Sequence, residues 1–510
     1  MNATVHWTAW GVFLFFFALV TVLGFVAARW KRADLNHLHE WGLGGRRFGT
    51  LITWFLLGGD MYTAYTMVAV PALIFAAGAY GFFALPYTIA VYPLMFLVMP
   101  RLWNVCRKHH YLTLADFIEG RYASHWLALA VAATGVLATM PYIALQLVGM
   151  QVAFEAMGFG DVKQGAEIAL IVAFVVLAVY TYTSGLRAPA LIAFVKDIMV
   201  YVFVIAAVIA IPARLGGYGA VFAAADQAFT AKGGAAGILL GAGQTMPYVT
   251  LAIGSTFALL LYPHVVTGTL AASSPGTIRR NMMLLPAYSV ALGLIALLGY
   301  MAIAAGITAK GNAIVPALIM QSFPEWFAGF CFAAIALGAL VPAAIMSIGA
   351  ANLVTRNFWR PYINANMQPA QEARVAKITS LVLKFGALLF VVFLPLEYAI
   401  NLQLLGGIWM QQVLPAAFIG LFTRWFRAEG LLAGWALGMG LGTMLCWLQG
   451  VKPVYPLPGL GAVYIGLIAL TANITLAALI TVIANARSKP HAKDATVAAD
   501  YEDDAALTRS

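Results

Sequence analysis

Charge is what this chain has least of. Asp, Glu, Lys and Arg make up only 9% of its 510 residues, against about a quarter in a soluble domain, so it cannot coat a water-facing globule. Its three cysteines, Cys106, Cys331 and Cys446, stand far apart without Cys-x-x-Cys spacing, which leaves neither a disulfide framework nor a metal cluster to build. No Gly-Lys pair occurs, so the phosphate-binding signature of ATP-driven pumps is absent and no nucleotide is expected. Of eight histidines only His264 falls well inside an apolar run, too few to hold haem or metals within a membrane, and no cofactor is expected. The longest segments outside the apolar runs, 213–246 and 487–510, are too short for a catalytic domain. The chain is therefore not expected to be an enzyme, and its function is expected inside the apolar runs.

Those runs are what the chain has in quantity. Apolar residues make up 63% of it, in stretches of about 20 or more, the length a helix needs to cross the hydrocarbon of a bilayer. Thirteen are predicted as spans: 7–29, 50–77, 81–100, 125–156, 166–184, 190–211, 247–270, 283–306, 326–352, 377–397, 401–422, 430–449 and 460–485. The fold class is an all-α polytopic membrane protein. The first run lacks a basic leader and ends in Arg29-Trp30-Lys31-Arg32, so it is expected to remain as a span. The net charge of +10 follows the loops: with the N-terminus outside, 22 of the 29 Lys and Arg face inward and five, Lys163, Arg214, Lys232, Lys310 and Lys452, face outward. That excess predicts N-out, C-in orientation in the cytoplasmic membrane and makes the basic charge topological, with no nucleic-acid partner. Lys196 and Lys384 lie within spans.

In lipid every backbone group needs an internal partner, so Gly and Pro within a span mark places where the chain lines a cavity. Span 2 holds Gly58-Gly59-Asp60-Met61-Tyr62-Thr63 and later Pro71, and span 7 holds Tyr262-Pro263-His264. An acid near the bilayer centre costs about 2.5–3.5 kcal/mol on insertion scales, which makes Asp60 a functional candidate. The interruptions are five spans apart, the pattern of an inverted-repeat transporter whose halves are spans 2–6 and 7–11, with the site at the midplane. The expected division is a first span and cytoplasmic loop (1–48), a ten-helix core (49–422, repeats about 49–211 and 247–422), two further spans (423–486) and a polar cytoplasmic tail (487–510).

These residues resemble the sodium:solute symporter family, and within it the bacterial monocarboxylate permeases. The resemblance runs along nearly the whole chain, through Gly58-Gly59-Asp60-Met61, Pro141 to Gly149, Thr183-Ser184-Gly185-Leu186-Arg187 leading to Lys196-Asp197, Tyr262 to Val266, Pro342 to Ser347, and Asn352 to Asn357. It implies alternating access by a five-plus-five core and a sodium site between spans 2 and 9. Carbonyls mapping onto Gly58, Met61 and Ala344 and the hydroxyl of Ser347 would serve as oxygen ligands for a hard cation. The sequence departs from that pattern twice. Ile348 stands where a second hydroxyl is usual, and Lys196-Asp197 stands where the family commonly has Thr-Asp. Lys196 resembles proton-coupled carriers of the same architecture, in which an ammonium takes the place of sodium; a buried lysine can take and release a proton in each cycle. Lys196 could instead extend toward the inner interface, and Lys384 is expected to do so. Asp60, Lys196 and Asp197 are thus the coupling candidates.

The cargo implied is a small anionic solute of the lactate, pyruvate, propionate or acetate type, with Na+ or H+ co-transported and the lipid bilayer as the other partner; no partner protein is evident. Free N–H groups at broken-helix ends favour a carboxylate. Tyr62, Thr63 and Tyr65 beside the break, Tyr142 and Gln146 in span 4, and His264, which can also bind as an imidazolium, are the substrate-binding candidates. Tyr62 and Tyr65 could equally pack as aromatics, and Gln146 could bond between helices. The competing expectations are a sodium-coupled symporter of proline, pantothenate or a sugar, and, from another class, a channel or membrane sensor.

Overall fold

The computed structural model describes residues 5–30, 34–159, 163–393, 399–487 and 493–504. Helices occupy all thirteen expected runs, as they must where backbone groups find no water. Among the described residues nine helices are long and apolar enough to cross a membrane, or eleven if each bent pair counts as one span; the expected thirteen is not reached on that measure. Span 2 consists of two short helices, Thr50–Gly59 and Tyr65–Ala77. Residues 394–397 of span 10, and Lys31, Arg32, Lys489 and Arg509 of the inward-facing basic set, lie outside the described residues.

Span 9, Glu325–Val354, runs through the centre and packs against spans 1, 4, 6 and 10. Small residues let it be approached closely: the Pro263 carbonyl lies 2.9 Å from where a Cβ on Gly349 would sit, and the Met67 sulfur 2.8 Å from where one on Gly338 would. Spans 2 and 7 are joined at both ends. Phe48, before span 2, pairs with Ala272, after span 7; Gly78, after span 2, pairs with Gly237, before span 7. The start of each thus meets the end of the other, as two equivalent helices of opposite direction would. Gly78 is needed there: its φ is 64°, and the Gly237 carbonyl occupies the position a Cβ would take, so only glycine fits.

Three sequence expectations change. Span 13 begins at Ile465, because Val454–Leu457 and Gly461–Tyr464 form an antiparallel hairpin, whose turn uses Gly459 and Gly461 at positive φ. Arg187, counted with the inner loops, is buried and donates to the Glu40 carboxylate at 2.5 Å and to its carbonyl at 2.8 Å. Lys384 does not reach the interface: it is wholly buried, held by a hydroxyl within its own span.

Candidate functional site

The first half of span 2 ends tightly. Asp60 N–H still donates to Leu56 O at 3.1 Å, but Met61 N–H turns back to Gly58 O at 2.9 Å, one residue short of helical spacing. The next residues need partners from outside the backbone ladder. Ala64 N–H donates to the Gln146 side-chain oxygen at 2.9 Å, and Thr63 N–H to the Thr66 hydroxyl at 2.9 Å. Gln146, whose amide nitrogen is bonded to Tyr142 O at 3.1 Å, therefore caps the second half of span 2 from span 4. Gly58 is required by the Tyr288 ring, which lies where a Cβ would be.

The carbonyl freed at Gly59 is taken by span 6. Lys196 Nζ donates to it at 2.5 Å and lies 2.8 Å from Asp197 Oδ1, with both side chains wholly buried. The Tyr288 hydroxyl donates to Asp197 Oδ2 at 2.8 Å, and the Tyr62 hydroxyl to the Tyr288 carbonyl at 3.3 Å. Tyr62, Tyr201 and Tyr288 pack against one another edge-on or tilted, and the ammonium lies 5.8 Å from the Tyr62 ring centre. The alternative in which Lys196 extends to the interface is excluded by this burial. A buried pair of opposite charge with hydrogen bonds on both members is the arrangement in which such charges persist in lipid.

Span 7 bends by 51° between Thr245–Leu261 and Pro263–Leu270. Pro263 opens the second piece, where its missing N–H costs no hydrogen bond. The bend turns His264 toward span 2, with Nε2 3.5 Å from Asp60 Oδ2, so the two breaks face each other. Asp60 Oδ1 and His264 Nδ1 are buried without a hydrogen-bond partner among the described residues. Tyr142 and Tyr262 stand over His264 with ring centres 5.5 and 5.2 Å away. Beside this aromatic layer is a small cavity of about 20 Å³, room for about one water, lined by Tyr65, Tyr87, Tyr142, Ser255, Tyr262 and Gln403 among others. Another, also of about 20 Å³, lies past the bend and is lined by Thr113, Gly135, Pro263, Thr267 and Gly349 among others.

On span 9, the Ser347 hydroxyl donates to Ala344 O at 2.8 Å, and Ser380 of span 10 bonds to Ser347 at 3.1 Å. Lys384 Nζ donates to Ser380 at 3.1 Å. No hydrogen bond among the described residues joins Ser347 to the Gly58–Met61 turn, and Ile348 is buried without a polar atom to offer. Lys196, Asp197, Gly59 and Tyr62 thus form one cluster, Asp60, Tyr142 and His264 a second, and Ala344, Ser347 and Lys384 a third. Tyr65 and Tyr142 line the first cavity, while Thr63 is tied to Thr66.

Two discontinuous helices meeting inside a membrane, each break carrying an ionisable side chain aimed at the other, are the mark of a secondary transporter. The sequence profile described as sodium:solute symporter family matches residues 41–438, and the chain belongs to that family. A protein named monocarboxylate transport permease protein, from Rhizobium johnstonii, is 58% identical over 96% of this chain and 99% of its own length. A protein named uncharacterized symporter YodF, from Bacillus subtilis, is 35% identical over 82% of this chain and 84% of its own length. A sodium-coupled sialic acid symporter, solved in a substrate-bound outward-open state, shares the fold with a TM-score of 0.78 at 15% identity, over 96% of this chain and 99% of that one.

Proposed function

We propose that this symporter takes up short monocarboxylates by alternating access and couples their uptake to protons through Lys196. The observation that carries the coupling is the Lys196 ammonium on the Gly59 carbonyl: the break that the resemblance makes half of a sodium site, through Gly58 and Met61, already has a covalently attached cation beside it. Ile348 in place of a second hydroxyl weakens the seat for free sodium, and Asp197 with Tyr288 gives the ammonium a partner to leave and rejoin. The name of the 58% identical relative supports the cargo. So does the first cavity, which offers tyrosine hydroxyls, Ser255 and the Gln403 amide but no formal charge. Such a lining has the chemistry to receive a small carboxylate with a short apolar tail once alternating access widens it. The N-out, C-in orientation, the cytoplasmic membrane and the division into a core over 49–422 flanked by accessory spans belong to the same proposal.

Sodium coupling is the second reading, favoured by Ser347 and the Ala344 carbonyl, which keep two of the family's three span 9 ligands. Purified protein in liposomes, given radiolabelled lactate, pyruvate, propionate or acetate under an imposed pH or sodium gradient, decides between them. Uptake driven by an inward proton gradient, abolished by an uncoupler and indifferent to sodium, is the expected result. Strict dependence on sodium would overturn the role of Lys196.

A further inference from the structure

The C-terminal tail reads from the sequence as a polar end, yet its described part is docked. Asp494 pairs with Arg121 at 2.7 Å and Arg424 at 3.6 Å, Ala495 N–H donates to Gly120 O at 2.9 Å, and Arg424 donates to Thr496 O at 3.0 Å. Further on, Asp500 meets His109 at 2.8 Å, Lys108 donates to Ala499 O at 2.5 Å, and Asp503 accepts from Asn104 at 2.9 Å and Arg279 at 2.6 Å. Between these polar contacts Tyr501 is buried, with the Arg101 guanidinium 5.6 Å from its ring centre and the Phe117 ring edge-on at 6.4 Å. A buried aromatic anchor within a rim of charge pairs is the anatomy of a binding interface.

The site is assembled from separate bodies. Arg101 to His109 end span 3, and Arg279 lies on the helix Pro275–Leu284 that opens span 8; these two helices pack together. Gly120 and Arg121 lie on the short helix Leu114–Tyr122, which packs on span 4. The residues that start this short helix, Thr113 and Leu114, line the second cavity, beyond the Pro263 bend. The tail is thus fastened both to the short helix that edges this cavity and to the span 3–span 8 pair.

We propose that residues 494–504 are a strap that holds the inner face closed, and that its release from Arg279, Asn104 and His109 accompanies opening of the cavity at Thr113 and Leu114. The proposal rests on the transport reading for its motion, and on the contacts alone for its docking. Charge pairs at a partly exposed rim are individually weak, so breaking one should raise a closure-limited rate modestly, by about threefold. In liposomes Arg279→Glu is expected to raise lactate counterflow by that factor, and adding Asp503→Lys to return it to the starting rate. With Cys106, Cys331 and Cys446 replaced by alanine, Asn104→Cys and Asp503→Cys joined by a short bis-methanethiosulfonate should lose about tenfold in counterflow. Reduction should restore it. Unchanged counterflow in Arg279→Glu, or full activity of the cross-linked carrier, overturns the strap. Counterflow needs no imposed ion gradient, so a failure of proton coupling leaves these outcomes readable. If the wild-type protein carries no monocarboxylate, Leu114→Cys reports instead: its reaction with a water-soluble thiol reagent should quicken in Arg279→Glu, and equal rates overturn the strap.

Discussion

Lys196 and Lys384 are both wholly buried, yet they differ in company. Lys196 has a carboxylate at 2.8 Å and a helix-end carbonyl at 2.5 Å; Lys384 has one hydroxyl at 3.1 Å and no acid within ion-pair distance among the described residues. An ammonium has three donors to satisfy, and leaving it unpaired in an apolar interior costs several kcal/mol. Lys384→Met keeps the length of the side chain and removes the charge, so it is expected to stabilise the fold by about 1–3 kcal/mol, read as a higher melting temperature in detergent. Lys196→Met is expected to do the reverse, because it strands Asp197 and the Gly59 carbonyl. Proton-driven uptake should fall by about tenfold or more while counterflow of substrate persists, the signature of lost coupling with binding intact. Both lysines, Asp60 and His264 were legible in the sequence, since an ionisable group inside an apolar run is conspicuous. Tyr288 and Ser380, which complete their hydrogen bonds, were not: a tyrosine or serine in such a run looks like any other until the fold brings it 91 residues back to Asp197 or 33 to Ser347.

At the scale of elements, the two breaks were legible because glycine pairs and proline disrupt helices for local reasons. What holds them open was legible only in outline, as Gln146 bonding between helices, and its partner was not. The second half of span 2 is capped by Gln146, a residue 82 positions away, and it substitutes for the backbone acceptor that Ala64 N–H lost at the break. Gln146→Leu should therefore cost about 1–2 kcal/mol of stability, the usual worth of a helix cap, and slow uptake, whereas Gln146→Glu, which keeps the acceptor, should retain most of the stability; thermal unfolding with paired uptake assays checks both. The bend of 44° in span 11, between Gln403–Gln411 and Leu414–Leu421, falls at Gln412 and Val413, just before Pro415, and was missed because the run holds no ionisable residue to draw attention to it. The hairpin before span 13 was missed for a similar reason: its residues are largely apolar, and only Pro458-Gly459 and Gly461 betray the turn.

For the molecule as a whole, the charge asymmetry of the loops predicts which side each faces. A cysteine at Lys310 should react with an impermeant thiol reagent from outside intact cells, and one at Arg374 only after the membrane is opened; the native cysteines are buried, so they add little background. The strap adds a pH dependence. Burial raises the Asp503 pKa, but hydrogen bonds from Arg279 and Asn104 outweigh it and hold the carboxyl below its usual value; Asp500 is likewise held low, against burial, by His109 and the Val497 N–H. Docking stabilised in this way is present above the ordinary carboxylate range and is lost as pH falls through the lowered values, below about pH 4. Limited proteolysis of the tail should therefore be slow at neutral pH and rapid in acid. The contacts of the Lys196 cluster also bear on how the protein is made. Span 6 enters the bilayer with Lys196 and Asp197 adjacent in sequence, and Gly59 is already there to receive the ammonium, but Tyr288 arrives two spans later. Until span 8 is inserted, Asp197 lacks its hydroxyl donor, so a nascent chain arrested before span 8 should hold span 6 less firmly than one arrested after it, which makes the Lys196 cluster a late product of biogenesis.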